Sequence, residues 1–172
     1  MSKIISIPLS DSKVRQCLGL DTKILKYSEL KQYNSISDII PNINDFFICL
    51  LEENFNEGHW TCCMHLKEGY YYFNSYGQKY DSDISVIPMC IRRILGQDRR
   101  EFSRLLDGVK CDWNKTKLQG ERSQVCGRYC CLVITMCCMM GYDSTDFIQF
   151  LVDKKKELKL SYDELVAKLC PI

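Results

Sequence analysis

The segment Gln119-Gly120-Glu121-Arg122-Ser123-Gln124-Val125-Cys126-Gly127-Arg128-Tyr129-Cys130 leads from a polar, Gly-containing loop into an apolar run that continues to Met140. Between Cys126 and Met140 Arg128 is the one charged residue, so the run predicts a helix buried on most of its surface. Gly141 stands where a C-cap is expected. Cys126 then falls at the helix N-terminus, where the dipole places roughly half a positive charge and favours thiolate over thiol. Gly127 removes a side chain beside the sulfur, which leaves room for a substrate backbone.

A helix this apolar needs a surface to cover it. Upstream, Phe46-Phe47-Ile48-Cys49-Leu50-Leu51 reads as a strand buried on both faces, after a turn at Pro41-Asn42-Ile43-Asn44-Asp45. A polar turn follows at residues 53–58. His59 to Leu66 and Tyr70 to Tyr76 read as two strands joined at Lys67-Glu68-Gly69. A short helix is expected near Ser12–Leu18, with irregular structure after it. Ile84–Leu95 and Arg99–Leu106 read as amphipathic helices, and Asp143–Leu158 as a helix with a polar outer face. Ser161-Tyr162-Asp163-Glu164 is a capping box opening a last helix to Leu169. The expected class is α+β. A small mixed or antiparallel central sheet packs on the buried helix, with other helices around it, in one domain over residues 1–172.

Composition narrows the function classes. At 172 residues folding buries roughly 70% of the unfolded chain's surface, so no covalent staples are required. A net charge of +1 supplies no global field for nucleic acid or membrane. The twelve cysteines include three adjacent pairs, Cys62-Cys63, Cys130-Cys131 and Cys137-Cys138, which argue against a disulfide framework. No Cys-x2-Cys pair recurs, so no metal site is expected from spacing. Most of the cysteines read as small buried hydrophobes in a reducing compartment. The N-terminal residues carry no signal-peptide apolar core, and the run from Cys130 to Met140 is too short to span a bilayer. A soluble protein inside a cell, or in a particle assembled there, is expected.

Around Cys126 a set of complementary groups can be assembled. A thiol, an imidazole and an amide donor are the parts of a cysteine acyl-transfer site. Gly58-His59-Trp60 offers His59 as base. His65 shares its strand face but lies about 20 Å away at strand rise, so both cannot serve one thiol and His65 reads as structural. A two-residue turn at Lys67-Glu68 would place Asn74 opposite Thr61, on the His59 face; a three-residue turn would put it on the other. Asn74 then orients the imidazole by a hydrogen bond, without supplying a charge. Gln119 is a candidate oxyanion donor with the Cys126 N–H, a contribution of roughly 3–4 kcal/mol in the transition state. Trp60 either stacks over the imidazole and caps the pocket, or packs in the core.

In this order, Gly58-His59-Trp60, Tyr72-Phe73-Asn74-Ser75-Tyr76-Gly77 and Gln119-Gly120-(x)5-Cys126-Gly127-x-Tyr129-Cys130 resemble the adenovirus-type (adenain-like) maturation proteases and their relatives, the ubiquitin-like-protein proteases. The resemblance spans roughly residues 46 to 140. It implies a papain-like cysteine protease fold, with Cys126 as nucleophile, His59 as base, Asn74 as third residue and Gln119 as oxyanion donor. Most members carry Asp or Glu where this chain has Asn74.

The short length is similar to compact viral or virophage members. For such a protease the resemblance implies capsid or core precursors as protein substrates, cut after small residues such as Gly. It implies a monomer working in the host cytoplasm, the viral factory and the virion, without a metal or small-molecule cofactor. It also raises a peptide activator, for which Cys111 is a candidate attachment point, and DNA as activator through Arg92-Arg93, Arg99-Arg100 or Lys154-Lys155-Lys156. Such charge runs are more often solvated faces. Two alternatives stand beside proteolytic maturation: removal of ubiquitin or a ubiquitin-like modifier by the same chemistry, and a non-catalytic particle-structural role.

Overall fold

The structure, a computed structural model, describes residues 3–172. Its centre is a meander of three antiparallel strands, β2 (Phe46–Asn54), β3 (Glu57–Leu66) and β4 (Gly69–Phe73). Two edge strands of three residues, β1 (Ile24–Lys26) and β5 (Cys111–Trp113), pair in parallel with β2 and β4. The sheet is therefore mixed, in the order β1-β2-β3-β4-β5. The edge strands lie in segments with no alternating pattern of their own, and they were not expected.

Both faces of the sheet are covered, which explains the unbroken apolar run in β2. Ile48 and Leu50 enter one cluster with Trp60, Cys62 and Met64. Phe47, Cys49 and Leu51 enter the other with Cys63 and Tyr72. The adjacent cysteines Cys62 and Cys63 accordingly point to opposite faces. All twelve cysteines are free thiols.

The first face packs α1 (Asp11–Leu18), α5 (Cys126–Ile134), α6 (Ser144–Leu158) and α7 (Tyr162–Leu169). The second packs the 3₁₀ segment Tyr27–Gln32, the short α2 (Ile36–Ile39) and α4 (Glu101–Leu105). The caps follow the sequence. Asp143 accepts from Asp146 N at 2.7 Å to start α6, and Ser161 and Glu164 form the capping box of α7.

Several boundaries differ from expectation for local reasons. Ile84–Leu95 is not one helix. A 3₁₀ turn at Asp83–Val86 ends before Pro88, and α3 (Met89–Ile94) begins after it. Pro88 has no N–H to continue the ladder and fits at a helix start. The helix expected over Arg99–Leu106 shortens to α4. The buried helix is α-helical to Ile134 and then widens to a π turn over Thr135–Met139, with Met140 N bonded to Thr135 O at 3.0 Å. Thr135 Oγ1 bonds back to Cys131 O at 2.8 Å, a competing contact of the kind that loosens a ladder. No helix among the described residues is long and apolar enough to cross a membrane.

Candidate active site

The β3–β4 connection fixes the first half of the site. Leu66 pairs with Gly69, so Lys67 and Glu68 form a two-residue turn and the ladder runs to Cys62↔Phe73. The next step of that register brings Asn74 level with Thr61, on the His59 side of β3. The contact follows: His59 Nε2 and Asn74 Oδ1 are 2.9 Å apart, both buried. At the other end of β3, His65 Nδ1 meets Ile40 O at 3.1 Å and its ring stacks on Tyr70. It is structural, as its position along the strand required.

Asn74 is held on every side. Its backbone N–H donates to Asn114 Oδ1 at 2.9 Å, and Asn114 Nδ2 returns a bond to Asn74 O at 2.6 Å. Oδ1 also accepts from Tyr76 N at 2.9 Å, and Nδ2 donates to Asp83 Oδ2 at 3.1 Å. These partners settle which end of the amide faces His59. Oδ1 is an acceptor, so Nε2 of the neutral ring carries the proton and Nδ1 keeps its lone pair.

Cys126 is the first residue of α5 and 6% exposed. Backbone N–H groups of Trp60, Gly127 and Cys126 itself surround the thiol and favour its anion. Burial outweighs them and pushes the thiol up to about 11. The expectation that the helix start favours thiolate is therefore corrected: burial outweighs the helix start. Loss of hydration likewise pushes His59 down to about 4, against the opposing effect of its Asn74 bond. The resting pair is neutral thiol and neutral imidazole, and no hydrogen bond joins them among the described residues.

The two groups share a cleft of about 940 Å³ at the end of the sheet, with Trp60, Tyr76, Gln119 and Ser123 also in its wall. The Gln119 loop is tied to the segment that carries Asn74, since Leu118 N and Gln119 N both donate to Ser75 O, at 2.9 and 3.0 Å. Ser75 Oγ donates to Gln119 Oε1 at 2.6 Å, and Gln119 Nε2 donates to Ser123 O at 2.9 Å. The amide is thus oriented with its NH2 as donor, and one of the two hydrogens meets no partner among the described residues.

The remaining expected residues take other places. Trp60 lines the cleft, but its indole Nε1 donates to Leu9 O at 3.1 Å, and the ring stacked on His59 is Tyr76, at 4.8 Å between centroids. Gly127 is small for packing rather than for substrate approach. A Cβ there would lie 3.0 Å from Leu9 Cβ and 3.3 Å from Trp60 Cδ1. Cys111 lies in edge strand β5, where burial pushes its thiol up to about 12.

Asp83 and Tyr76 were missed in the sequence. Tyr76 stood within a quoted motif without a role. Asp83 sits in a 3₁₀ turn with no periodic pattern, and burial pushes its carboxyl up to about 6, so it is ionised at neutral pH. No protein-family model matches the chain, and no curated protein matches it.

Proposed function

We propose that the protein is a cysteine endopeptidase with an adenain-like fold and a Cys126–His59–Asn74 site. The observation that carries this reading is the 2.9 Å bond between His59 Nε2 and Asn74 Oδ1, in a cleft that also holds Cys126 at the start of α5. Catalysis begins with both groups neutral. As Cys126 Sγ attacks the substrate carbonyl, His59 Nδ1 takes the thiol proton, while Nε2–H stays on Asn74. The oxyanion accepts from the Cys126 N–H and the free hydrogen of Gln119 Nε2. His59 then gives its proton to the leaving amine and removes one from the water that hydrolyses the thioester.

The substrates in this reading are capsid or core precursors of an intracellularly assembled particle, cut after small residues. Cleavage of candidate particle proteins, read by sequencing the new N-termini, tests activity and specificity together. Cys126→Ala should abolish the cuts; undiminished cutting by that variant ends the assignment.

A further inference from the structure

Three cysteines from distant parts of the chain meet behind the nucleophile helix. Cys17 is in the last turn of α1, Cys131 is in α5, and Cys170 caps the end of α7. Their sulfur atoms all lie within 4.8 Å of one another, and those of Cys17 and Cys170 are 3.9 Å apart. A disulfide closes to about 2.05 Å. Thiolates bound at about 2.3 Å around a tetrahedral ion stand about 3.8 Å apart. The Cys17–Cys170 separation is that of ligands rather than of a bonded pair, and Cys131 lies within 4.8 Å of both.

A second observation points to the same place. Arg128, one turn before Cys131 on α5, is 3% exposed. Its terminal nitrogens donate to Cys170 O and Ile172 O, and its Nε has no partner. No side-chain carboxylate forms an ion pair with it among the described residues. A buried guanidinium gains from negative charge close by, and metal-bound thiolates at Cys131 and Cys170 would add it beside the main-chain oxygens of Cys170 and Ile172 that Arg128 meets. Three thiolates around a divalent ion carry one net negative charge, which Arg128 neutralises. Cys17 is half-buried, so an ion can reach the cluster and water can take a fourth position.

We propose that Cys17, Cys131 and Cys170 form a binding site for a thiophilic cation such as Zn²⁺, which clasps α1 and the end of α7 to the nucleophile helix. Binding releases the thiol protons to solvent and changes no oxidation state. The proposal does not depend on the peptidase reading.

The test uses Zn²⁺ alone, added to the reduced full chain in a Cys126→Ala background so that the cleft thiol cannot contribute. One zinc per chain is expected after desalting, with a thiolate-to-metal charge-transfer band when Co²⁺ is substituted. Saturating zinc should raise the melting temperature by about 5–10 °C. Cys17→Ser and Cys170→Ser should each weaken binding by about 100-fold or more, since even second-shell losses cost 10–100-fold. Folded protein that retains under about a tenth of an equivalent, or a Cys17→Ser/Cys170→Ser variant that binds as tightly as its parent, overturns the proposal.

Discussion

Asp83 accepts the Asn74 amide proton at 3.1 Å, so a carboxylate stands one residue behind the imidazole. Asn74 supplies no charge, but Asp83, with Tyr76 N, fixes which end of its amide faces His59, and hence which ring nitrogen keeps its lone pair. Asp83→Ala frees that amide to rotate, whereas Asp83→Asn still offers an acceptor oxygen. Asp83→Ala should lower kcat by about 10-fold with little change in KM, and Asp83→Asn should keep most of it. Asn74→Ala, which leaves the tautomer unset, should lose about 100-fold. Peptide-cleavage kinetics check this series; an Asp83→Ala enzyme with unchanged kcat removes Asp83 from the site.

The same two buried groups pull stability in opposite directions with pH. His59 falls from 6.5 to about 4 on folding, so the unfolded chain takes up its proton first and stability is lost as pH falls below 6.5. Asp83 rises from 3.8 to about 6, so the folded chain takes up its proton first and stability is gained as pH falls below 6. The two effects nearly cancel in the wild type. Asp83→Asn should uncover the first, losing about 2–3 kcal/mol between pH 7 and 4.5; His59→Gln should uncover the second, gaining about 2 kcal/mol. Urea unfolding at the two pH values gives the slopes, and parallel slopes in both variants would contradict the pairing.

A thiol held at about 11 is a poor nucleophile at rest. At pH 7 iodoacetamide should alkylate Cys126 more slowly than it alkylates glutathione, and more slowly than it alkylates the half-buried Cys17, whose anion is favoured. Peptide mapping over time reads the order. Rapid labelling of Cys126 would mean a thiolate–imidazolium pair already exists before substrate binds, and that His59 does not act as a base during attack.

Gly127→Ala should destabilise the fold by about 1–3 kcal/mol, because the new methyl meets Leu9 and Trp60 at 3.0 and 3.3 Å in a packed core. Gly58→Ala should cost more. Its Cβ would lie 1.9 Å from Leu51 O, where β2 and β3 approach beside His59, so the hairpin must open. Thermal melts order the two variants. A Gly58→Ala protein as stable as wild type would show that this approach does not hold His59 in place.

The parts of this arrangement that were legible are those written in local pattern. The pattern in β3 and β4 limited Asn74 to one of two faces, and the two-residue turn between Leu66 and Gly69 in the structure chose the His59 face. The loss of charge after Cys126 marked α5, and Asp143 and Ser161 marked the next two helix starts. What escaped depends on distant residues. Burial raises the Cys126 thiol above the reach of the helix dipole, and burial of that residue follows from packing rather than from its flanks. Asp83 meets Asn74 through a non-periodic turn. Cys17, Cys131 and Cys170 come together from α1, α5 and the end of α7, so no spacing rule connects them.

The cleft carries a charge of its own. Asp11, Glu53 and Glu57 are exposed on its wall, and no lysine or arginine lines it among the described residues. Acidic side chains at a wet rim steer cationic ligands and act mainly on the rate of association. Peptides with Lys or Arg flanking the scissile bond should therefore show kcat/KM about 10-fold above acidic counterparts at low salt. The gap should narrow to about 2-fold at high ionic strength, where the Debye length is about 3 Å. A Glu53→Lys/Glu57→Lys variant should reverse the preference while leaving kcat on a neutral peptide unchanged, since neither residue is hydrogen-bonded to His59 or Cys126 among the described residues. Equal rates for the two peptide sets at low salt would show that these carboxylates do not meet the substrate.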